Sequence, residues 1–488
     1  MPSLAELARA VGGTLQNAAG SESYASVVYD SRHVTAGDVF VAISGHKDDG
    51  GKYIESAFQH SACAVICDTD VAVVSNRPVI RVPSTRAALA GAAWFTAGYP
   101  NHQMKLVGVT GTNGKTTVTA ALAQLLTLCG KPTGVCGTLG MFFGDYRFDS
   151  DRTTAEAPEL AAAFGEMHAR GATHVAMEAT SIGLVMHRLD ELQFDVAVFT
   201  NLSRDHLDFH GTWDDYRSAK LMLFESSRLR GQAVINADDA EAQHFFRHTA
   251  RHTLTYGIST VSDFQATEVT LTASGTQFLL VSPDGAFRVA TKLVGQFNVY
   301  NTLAILAAAH ALGIETVDAV RAMPHVNPVR GRAEVVTSSA PFSVLVDYAH
   351  TPDALEKILS TLRELTGGKL LCVVGAGGDR DRGKRPIMAA TAEQWSDQVY
   401  LTSDNPRTEV PEMILAEMQA GLRDRQQAHV DPDRRASIHA ALSAAQSGDV
   451  VVIAGKGHET YQEIQGVKYP FDDATVAREW LLSHGYEA

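Results

Sequence analysis

The sequence predicts an α/β protein of three domains: an α/β amino-terminal domain, a central parallel sheet of the phosphate-loop ATPase type, and a Rossmann-like carboxyl-terminal domain. Three observations carry that expectation. The chain has 488 residues, more than one hydrophobic core usually serves. Over most of its length, apolar runs of strand length alternate with helical patterns, the arrangement of parallel sheets covered on both faces. A glycine-rich loop, GTNGKTT at 111–117, stands between one such strand and one such helix. Apolar residues make up 45% and charged residues 20%, the composition of a folded chain.

The first block, 1–98, holds short β-rich runs, SVVYDS, DVFVAIS, CAVICD and PVIRV, between helical patterns. TRAALAGAAWFTAG closes it as a helix, and YPNHQ reads as a linker because Pro and Asn break the pattern. The second block, 99–330, opens on the strand KLVGVT and the helix GKTTVTAALAQLLTLCG, which Gly130 ends. HVAMEAT and FDVAVFTN are further strands, and TWDDYRSAKLMLFESS is an amphipathic helix. Residues 263–294 alternate around SPDG, which predicts an antiparallel hairpin. The linker PHVNPVRGR ends the block. The third block, 331–488, alternates again: FSVLVDYAH, KLLCVVGAGG, QVYLTSD and DVVVIAGKG are strands, most of them followed by a helix. Such sheets bind ligands at the carboxyl ends of their strands. The loops 375–379, 404–407 and 455–459 are therefore expected to converge on one ligand.

Composition excludes several classes of function. The net charge is −14, from 41 basic and 55 acidic residues, whereas a nucleic-acid binder needs a basic surface. No stretch of about 18 uninterrupted apolar residues exists, so no membrane span is expected. The start, MPSLAELARAVGG, has an early Glu and no apolar core, so it is not read as a signal peptide. Five cysteines with no CxxC pair suggest neither a disulfide framework nor a structural zinc site and fit a reducing cytoplasm. His206 and His210 have the i,i+4 spacing of zinc ligands, but there is no HExxH pattern and no third ligand. A monomer is expected.

In the phosphate loop, Gly111 and Gly114 let the backbone curl so that amide groups face an anion at the helix amino end. Lys115 supplies a positive charge to phosphates, and the Thr116 hydroxyl can ligate Mg²⁺. Val109 stands where the full Walker pattern has Gly, so the match is GxxGKT. No NKxD-type guanine reader is present.

GVTGTNGKTT joined with TNLSRDHLDFHG at 200–211 resembles the Mur ligase family of ATP-dependent enzymes that add amino acids to a UDP-linked muramyl precursor of the bacterial cell wall. YDSRHVTAGDVFVAISGHKDDG is similar to a nucleotide-sugar segment, and DNPRTE to a diaminopimelate signature, so the resemblance spans nearly the whole chain. It implies that ATP, with Mg²⁺, drives addition of meso-2,6-diaminopimelate to UDP-N-acetylmuramoyl-L-alanyl-D-glutamate through an acyl phosphate. It also implies residue roles. Gly111, Thr112, Asn113, Gly114, Lys115, Thr116 and Thr117 match the ATP phosphate loop. Asn298, Asn301, Arg332, Asp347 and His350 fall in other ATP-associated segments. Ser31, His46, Lys47 and Asp48 match the uridine-diphosphate contacts, and Thr153, Thr154, Thr180 and Arg188 the muramyl-peptide contacts. Glu178 and His206 match Mg²⁺-associated positions, and Lys220 a lysine that the family carbamylates. Arg380, Asp404, Asn405, Pro406, Arg407, Gly455 and Glu459 match the incoming amino-acid site. In EATSIGLVMHR, Ile182 and Met186 replace polar residues of the family pattern.

This chemistry needs such residues. A carboxylate is a poor electrophile until it is phosphorylated, and the phosphate donor and the carboxylate are two anions that repel. Mg²⁺ and Lys115 would offset that repulsion. A neutral Lys220 could capture CO₂ and become an oxygen ligand, since burial favours the reactive amine. A guanidinium fork at Arg407, aimed by Pro406, suits the far carboxylate of diaminopimelate, with Asp404 or Glu459 for its ammonium. The DNPR loop argues against a lysine-adding member of the family. The DSR segment argues against folylpolyglutamate synthase, whose substrate is not a uridine nucleotide. Retention of Lys115, Glu178, His206 and Lys220 argues against a non-catalytic nucleotide-binding protein on the same scaffold.

Overall fold

The computed structural model describes residues 2–43, 49–71, 76–148, 150, 152–272, 275–336, 338–424 and 428–487. The chain forms two compact units, Met1–Thr255 with Ala307–Ile314, and Tyr256–Leu306 with Glu315–Ala488. The architecture is mixed α/β with parallel-rich sheets, as the alternation of strand and helix patterns predicts.

The first unit begins with a five-stranded sheet in the order Thr14–Gln16, Val79–Val82, Ala64–Asp68, Val39–Val41, Val27–Val28. Val39, Val41, Ala64, Ile66, Ile80 and Val82 pack with Leu4 and Leu7 in one core. SVVYDS forms only a two-residue strand; Asp30 then caps a 3₁₀ turn, Ser31–His33, by accepting from the Arg32 amide. The helix Thr85–Thr96 is capped by Ser84. Its Trp94 meets Phe164 edge to face, with ring centroids 5.2 Å apart. YPNHQ is no open linker: Pro100–Gln103 is a 3₁₀ turn, and the Asn101 amide donates to the Glu191 carbonyl.

Further along, the strand Lys105–Thr110 lies between His174–Glu178 and Phe194–Phe199, parallel to both. Leu106, Val107 and Val109 are all buried, which is why the run reads as continuously apolar rather than alternating. Leu229–Asn236 extends this sheet beyond Phe194–Phe199, and Thr133–Gly137 extends it beyond His174–Glu178. Two short antiparallel strands, Gly140–Phe143 and Tyr146–Phe148, follow on that side. Sequence reading missed them, because strands of three or four residues carry too few alternations to be distinguished from turns. TWDDYRSAKLMLFESS is helical over Trp213–Leu221 and tightens into a 3₁₀ turn at Met222–Phe224.

The second unit carries the antiparallel strands Phe264–Thr272, Gly275–Ser282 and Gly285–Thr291. The predicted hairpin around SPDG is its second turn; a third strand completes the ribbon. The six-stranded sheet runs Glu334–Val336, Ser343–Asp347, Val450–Ala454, Leu370–Val374, Gln398–Leu401, His429–Val430. All neighbours are parallel except the first pair. Leu355, Ile358, Leu359 and Leu362 recur at helical spacing on Pro352–Leu365 and pack on one face of it. Because Val450–Ala454 is inserted between Ser343–Asp347 and Leu370–Val374, residues distant in sequence reach a common carboxyl edge.

Candidate active site

In the first unit, the phosphate loop leaves the strand Lys105–Thr110 and enters the helix Lys115–Leu128. Gly111 has φ +147°, and a Cβ there would lie 1.9 Å from Thr200 Oγ1. The end of the neighbouring strand holds the loop: Asn113 N–H donates to Asn201 Oδ1 (3.0 Å), and Thr200 Oγ1 donates to the Asn113 carbonyl (2.6 Å). Thr112 Oγ1 lies 3.0 Å from the Tyr216 hydroxyl and accepts from Ser203 N–H (2.9 Å). The Lys115 ammonium turns back onto the carbonyls of Gly111 (2.9 Å) and Thr112 (2.8 Å). Thr117 is buried in the first helical turn.

Three elements meet beside this loop. Thr116 Oγ1 donates to Glu178 Oε2 (3.1 Å), and Thr138 N–H donates to Glu178 Oε1 (2.8 Å). Thr138 Oγ1 lies 3.1 Å from Thr153 Oγ1. Thr154 Oγ1 donates to the Glu178 carbonyl (2.8 Å) and accepts from Thr180 Oγ1 (2.9 Å). Lys220 is 1% exposed, and its Nζ donates to the same Gly111 carbonyl that Lys115 uses, at 2.8 Å. Nζ also lies 4.4 Å from the centroid of the Tyr216 ring. Burial, reinforced by Lys115 and opposed by Asp205, holds this amine well below the ordinary lysine range.

His206 stands at φ +53° in the loop after Asn201. Nearly half its side chain is open to solvent, with Nε2 3.5 Å from Asp205 Oδ2. Crowding of the ring lowers its pKa, Asp205 opposes the shift, and Lys115 and Lys220 add to it. His210 Nε2 lies 3.0 Å from Ser181 Oγ.

Ser31 sits in the 3₁₀ turn after Asp30; His46, Lys47 and Asp48 lie outside the described residues. Arg188 donates to Glu156 Oε1 (2.9 Å) and to the Thr154 carbonyl (3.0 Å), while Arg86 donates to Glu156 Oε2 (2.8 Å). Sequence reading did not single out Glu156, Thr138 or Tyr216, because each acts through a partner far along the chain.

In the second unit, Asn298 and Asn301 are buried in the helix Gln296–Ala311; Asn298 Nδ2 donates to the Val294 carbonyl, and Asn301 Nδ2 to Asn298 Oδ1, each at 2.8 Å. Asp347 accepts from the amides of Ala333 and Ala349, both at 2.7 Å, and burial raises its pKa against the pull of Arg332. The Arg332 guanidinium lies 4.4 Å from the centroid of the Tyr348 ring, and His350 Nδ1 lies 2.8 Å from the Tyr348 carbonyl.

The three loops of the carboxyl edge do meet. Gly378 N–H donates to the Asn405 carbonyl (2.9 Å), and Asn405 Nδ2 donates to Glu459 Oε2 (2.7 Å). Gly455 has φ +114°, and a Cβ there would lie 2.7 Å from Asp404 Oδ2. Asp404 is nearly buried; burial pushes its pKa up, but Lys456 and Arg434 outweigh that, and it stays below the ordinary carboxylate range. Pro406 packs so closely on Gly378 that a Cβ there would lie 1.9 Å from the Pro406 carbonyl oxygen. Arg407, at φ +51°, is braced beside Pro406: its Nη1 donates to the Gly378 carbonyl (2.7 Å), and its Nε lies 3.4 Å from Glu463 Oε2. Arg380 is exposed. Arg385, which looks like a surface cation in sequence, is fully buried and donates to Glu409, Glu417 and the Gly377 carbonyl, which fastens the loop before Arg380.

The fold and the loop define a class: an α/β protein whose glycine-rich loop joins a buried parallel strand to a helix amino end, beside one acidic side chain and two lysines. The chain belongs to the Mur ligase family of ATP-dependent ligases: the Mur ligase family catalytic domain matches residues 23–95, the Mur ligase middle domain 109–309, and the Mur ligase glutamate ligase domain 331–457. It is 43% identical over 466 residues to a UDP-N-acetylmuramoyl-L-alanyl-D-glutamate–2,6-diaminopimelate ligase of Geobacillus thermodenitrificans, covering 94% of this chain and 95% of that protein. A ligase of the same name from Syntrophomonas wolfei is 41% identical, covering 98% and 99%. A solved structure of a ligase of that name superposes with a TM-score of 0.71 at 36% identity, covering 99% of each chain.

One substitution tests the geometry around Glu178. A Cβ on Gly137 would lie 2.4 Å from Glu178 Oε1. Gly137→Ala therefore displaces a buried carboxylate, and kcat should fall by about 10²-fold, the cost of a displacement near 1 Å at a reacting centre. Steady-state kinetics with an unchanged thermal midpoint would show this; an unchanged kcat would mean that the position of Glu178 is not critical.

Proposed function

We propose that this chain adds meso-2,6-diaminopimelate to UDP-N-acetylmuramoyl-L-alanyl-D-glutamate, with ATP, in peptidoglycan precursor synthesis. The observation that carries the reading is the grouping of Lys115, Thr116, Glu178 and Lys220 at one sheet edge. Residues 1–98 form the UDP-sugar domain, 99–330 the ATP domain and 331–488 the amino-acid domain. Ser31, His46, Lys47, Asp48, Thr153, Thr154, Thr180 and Arg188 hold the nucleotide dipeptide. Residues 111–117, with Asn298, Asn301, Arg332, Asp347 and His350, hold ATP.

The residues present fit Mg²⁺. Thr116 and Glu178 offer hard oxygen donors 3.1 Å apart. That suits a cation bound by one carboxylate, a hydroxyl, waters and nucleotide phosphates. His206 would complete the set through water, and Lys220 as a carbamate, formed when its neutral amine attacks CO₂ and releases a proton. When bound, the ion offsets the repulsion between phosphates and the acceptor carboxylate. Lys115 leaves its loop carbonyls for the phosphates and stabilises the charge of transfer. The acceptor oxygen attacks the γ-phosphorus, ADP leaves, and the amine then attacks the acyl carbon and expels phosphate. Oxygen-18 placed in the acceptor carboxylate should appear in inorganic phosphate; its absence there rules out the acyl phosphate.

Arg380, Asp404, Asn405, Pro406, Arg407, Gly455 and Glu459 select the amino acid. Arg407 Nη2 makes no hydrogen bond among the described residues and can receive the far carboxylate, which lysine lacks. Sites built for a polar group reject analogues without it by on the order of 10⁴. Competition should show that preference for diaminopimelate over lysine, and Arg407→Ala should lose it. Comparable kcat/KM values for the two amino acids would refute the assignment.

A further inference from the structure

Behind the Asp404–Arg407 loop lies a cation that no role above uses. The Lys456 side chain has no solvent exposure, and its Nζ donates to Glu459 Oε2 at 3.0 Å and to Asn405 Oδ1 at 3.1 Å. Asn405 Nδ2 closes the triangle on the same Glu459 oxygen at 2.7 Å. Glu463 N–H donates to Asn405 Oδ1 at 2.9 Å, and Gln462 Nε2 to the Asp404 carbonyl at 2.8 Å. The Lys456 ammonium is thus one of the donors that orient both Glu459 and Asn405.

The same ammonium decides the charge of the pocket. Asp404 and Glu459 are both acidic. The other buried cation close by, Arg434, is held in a two-point pair with Asp473, so that pair adds no net charge. Lys456 cancels one of the two remaining carboxylates, and Arg407 is offset by Glu463 at 3.4 Å, so a single negative charge remains among these groups, with Arg380 exposed beside them.

We infer that Lys456 is a positioning and charge-setting residue of the amino-acid pocket, shifting its preference away from a cation and towards a zwitterion. The inference rests on the assignment of this loop cluster to the incoming amino acid. Diaminopimelate carries no net charge at neutral pH, whereas lysine carries one positive charge. With one uncompensated carboxylate the pocket matches one far ammonium. A second uncompensated carboxylate would strengthen the pull on the cationic competitor more than on the zwitterion.

Lys456→Met keeps the length of the side chain and removes its charge. It should raise the KM for diaminopimelate about 10- to 100-fold, the size of effect seen when a group that orients a metal ligand is lost. The KM for ATP should stay near that of the unaltered protein, and the preference for diaminopimelate over lysine should fall. Lys456→Met/Glu459→Gln restores the single negative charge and should recover the preference while KM stays high. Glu459→Gln alone removes negative charge and should sharpen discrimination against lysine, which decides the matter even where Lys456→Met does not fold. An unchanged preference in Lys456→Met or in Glu459→Gln, a parallel rise in the KM for ATP, or no recovery in the double variant would overturn the inference. Failure of the unaltered protein to form product from diaminopimelate would instead refute the assignment on which it rests.

Discussion

Replacing Lys220 by methionine should remove most amide synthesis and, in CO₂-free buffer, stabilise the fold. The amine is buried against the Gly111 carbonyl and the Tyr216 ring. Burial first, and Lys115 next, hold its pKa well below the lysine value of 10.5. The folded state therefore binds fewer protons at this site than the unfolded chain. The stability this group contributes is fully present above the unfolded pKa and is lost as pH falls towards the folded one. At neutral pH the lysine is thus a cost that methionine removes. A gain on the order of 1 kcal/mol is expected, the scale at which functional strain is released. The gap between variant and unaltered protein should narrow as pH rises from 7 towards 10. Turnover should fall by at least ~10²-fold, the size of a lost electrostatic contact at a reacting centre, and bicarbonate should not restore it. Thermal unfolding across that pH range and mass analysis of the product check both halves. Full activity in the variant, or a gap that does not depend on pH, would remove the functional reading of Lys220.

The second large effect belongs to Arg434. Arg434 and Asp473 have no side-chain exposure and form two hydrogen bonds of 2.7 Å. The same guanidinium donates to the carbonyls of Ala454 (3.0 Å) and Ser403 (3.3 Å), the residues just before Gly455 and Asp404. Arg434→Met strands a buried carboxylate and releases two strand ends at once. A loss of about 3–5 kcal/mol is expected, because an uncompensated buried charge costs far more than an intact pair contributes. Arg434→Met/Asp473→Leu should recover most of that stability but not the KM for the amino acid, since the carbonyl contacts stay lost. Denaturant midpoints and steady-state kinetics separate the two. A single variant as stable as the unaltered protein would show that Asp473 finds other compensation.

Local reading reached the phosphate loop because its chemistry is local. Gly111 and Gly114 adopt positive φ, and the strand before them and the helix after them are continuous in sequence. The carboxyl-edge loops were legible for a similar reason: each follows an apolar run that reads as a buried strand. The resemblance of DNPR and TNLSRDH to family motifs named the residues, but it did not say what each would touch. Arg407 read as a fork aimed by Pro406, but its ties to Gly378 and Glu463 were not legible, because those partners lie in other loops.

Sequence by itself determined the alternation of strand and helix, the phosphate loop with its Lys115, and the placing of Asp404–Arg407 at a strand end, because backbone torsion and burial period are set by neighbouring residues. Only the tertiary structure decided that Lys220 and Lys115 share one carbonyl, that Lys456 and Arg434 are buried rather than solvated, and that Glu178 takes its partners from Thr116 and Thr138. Those facts follow from strand order, which brings together residues far apart in the chain. A lysine or arginine looks the same in sequence whether water or a carboxylate meets its charge.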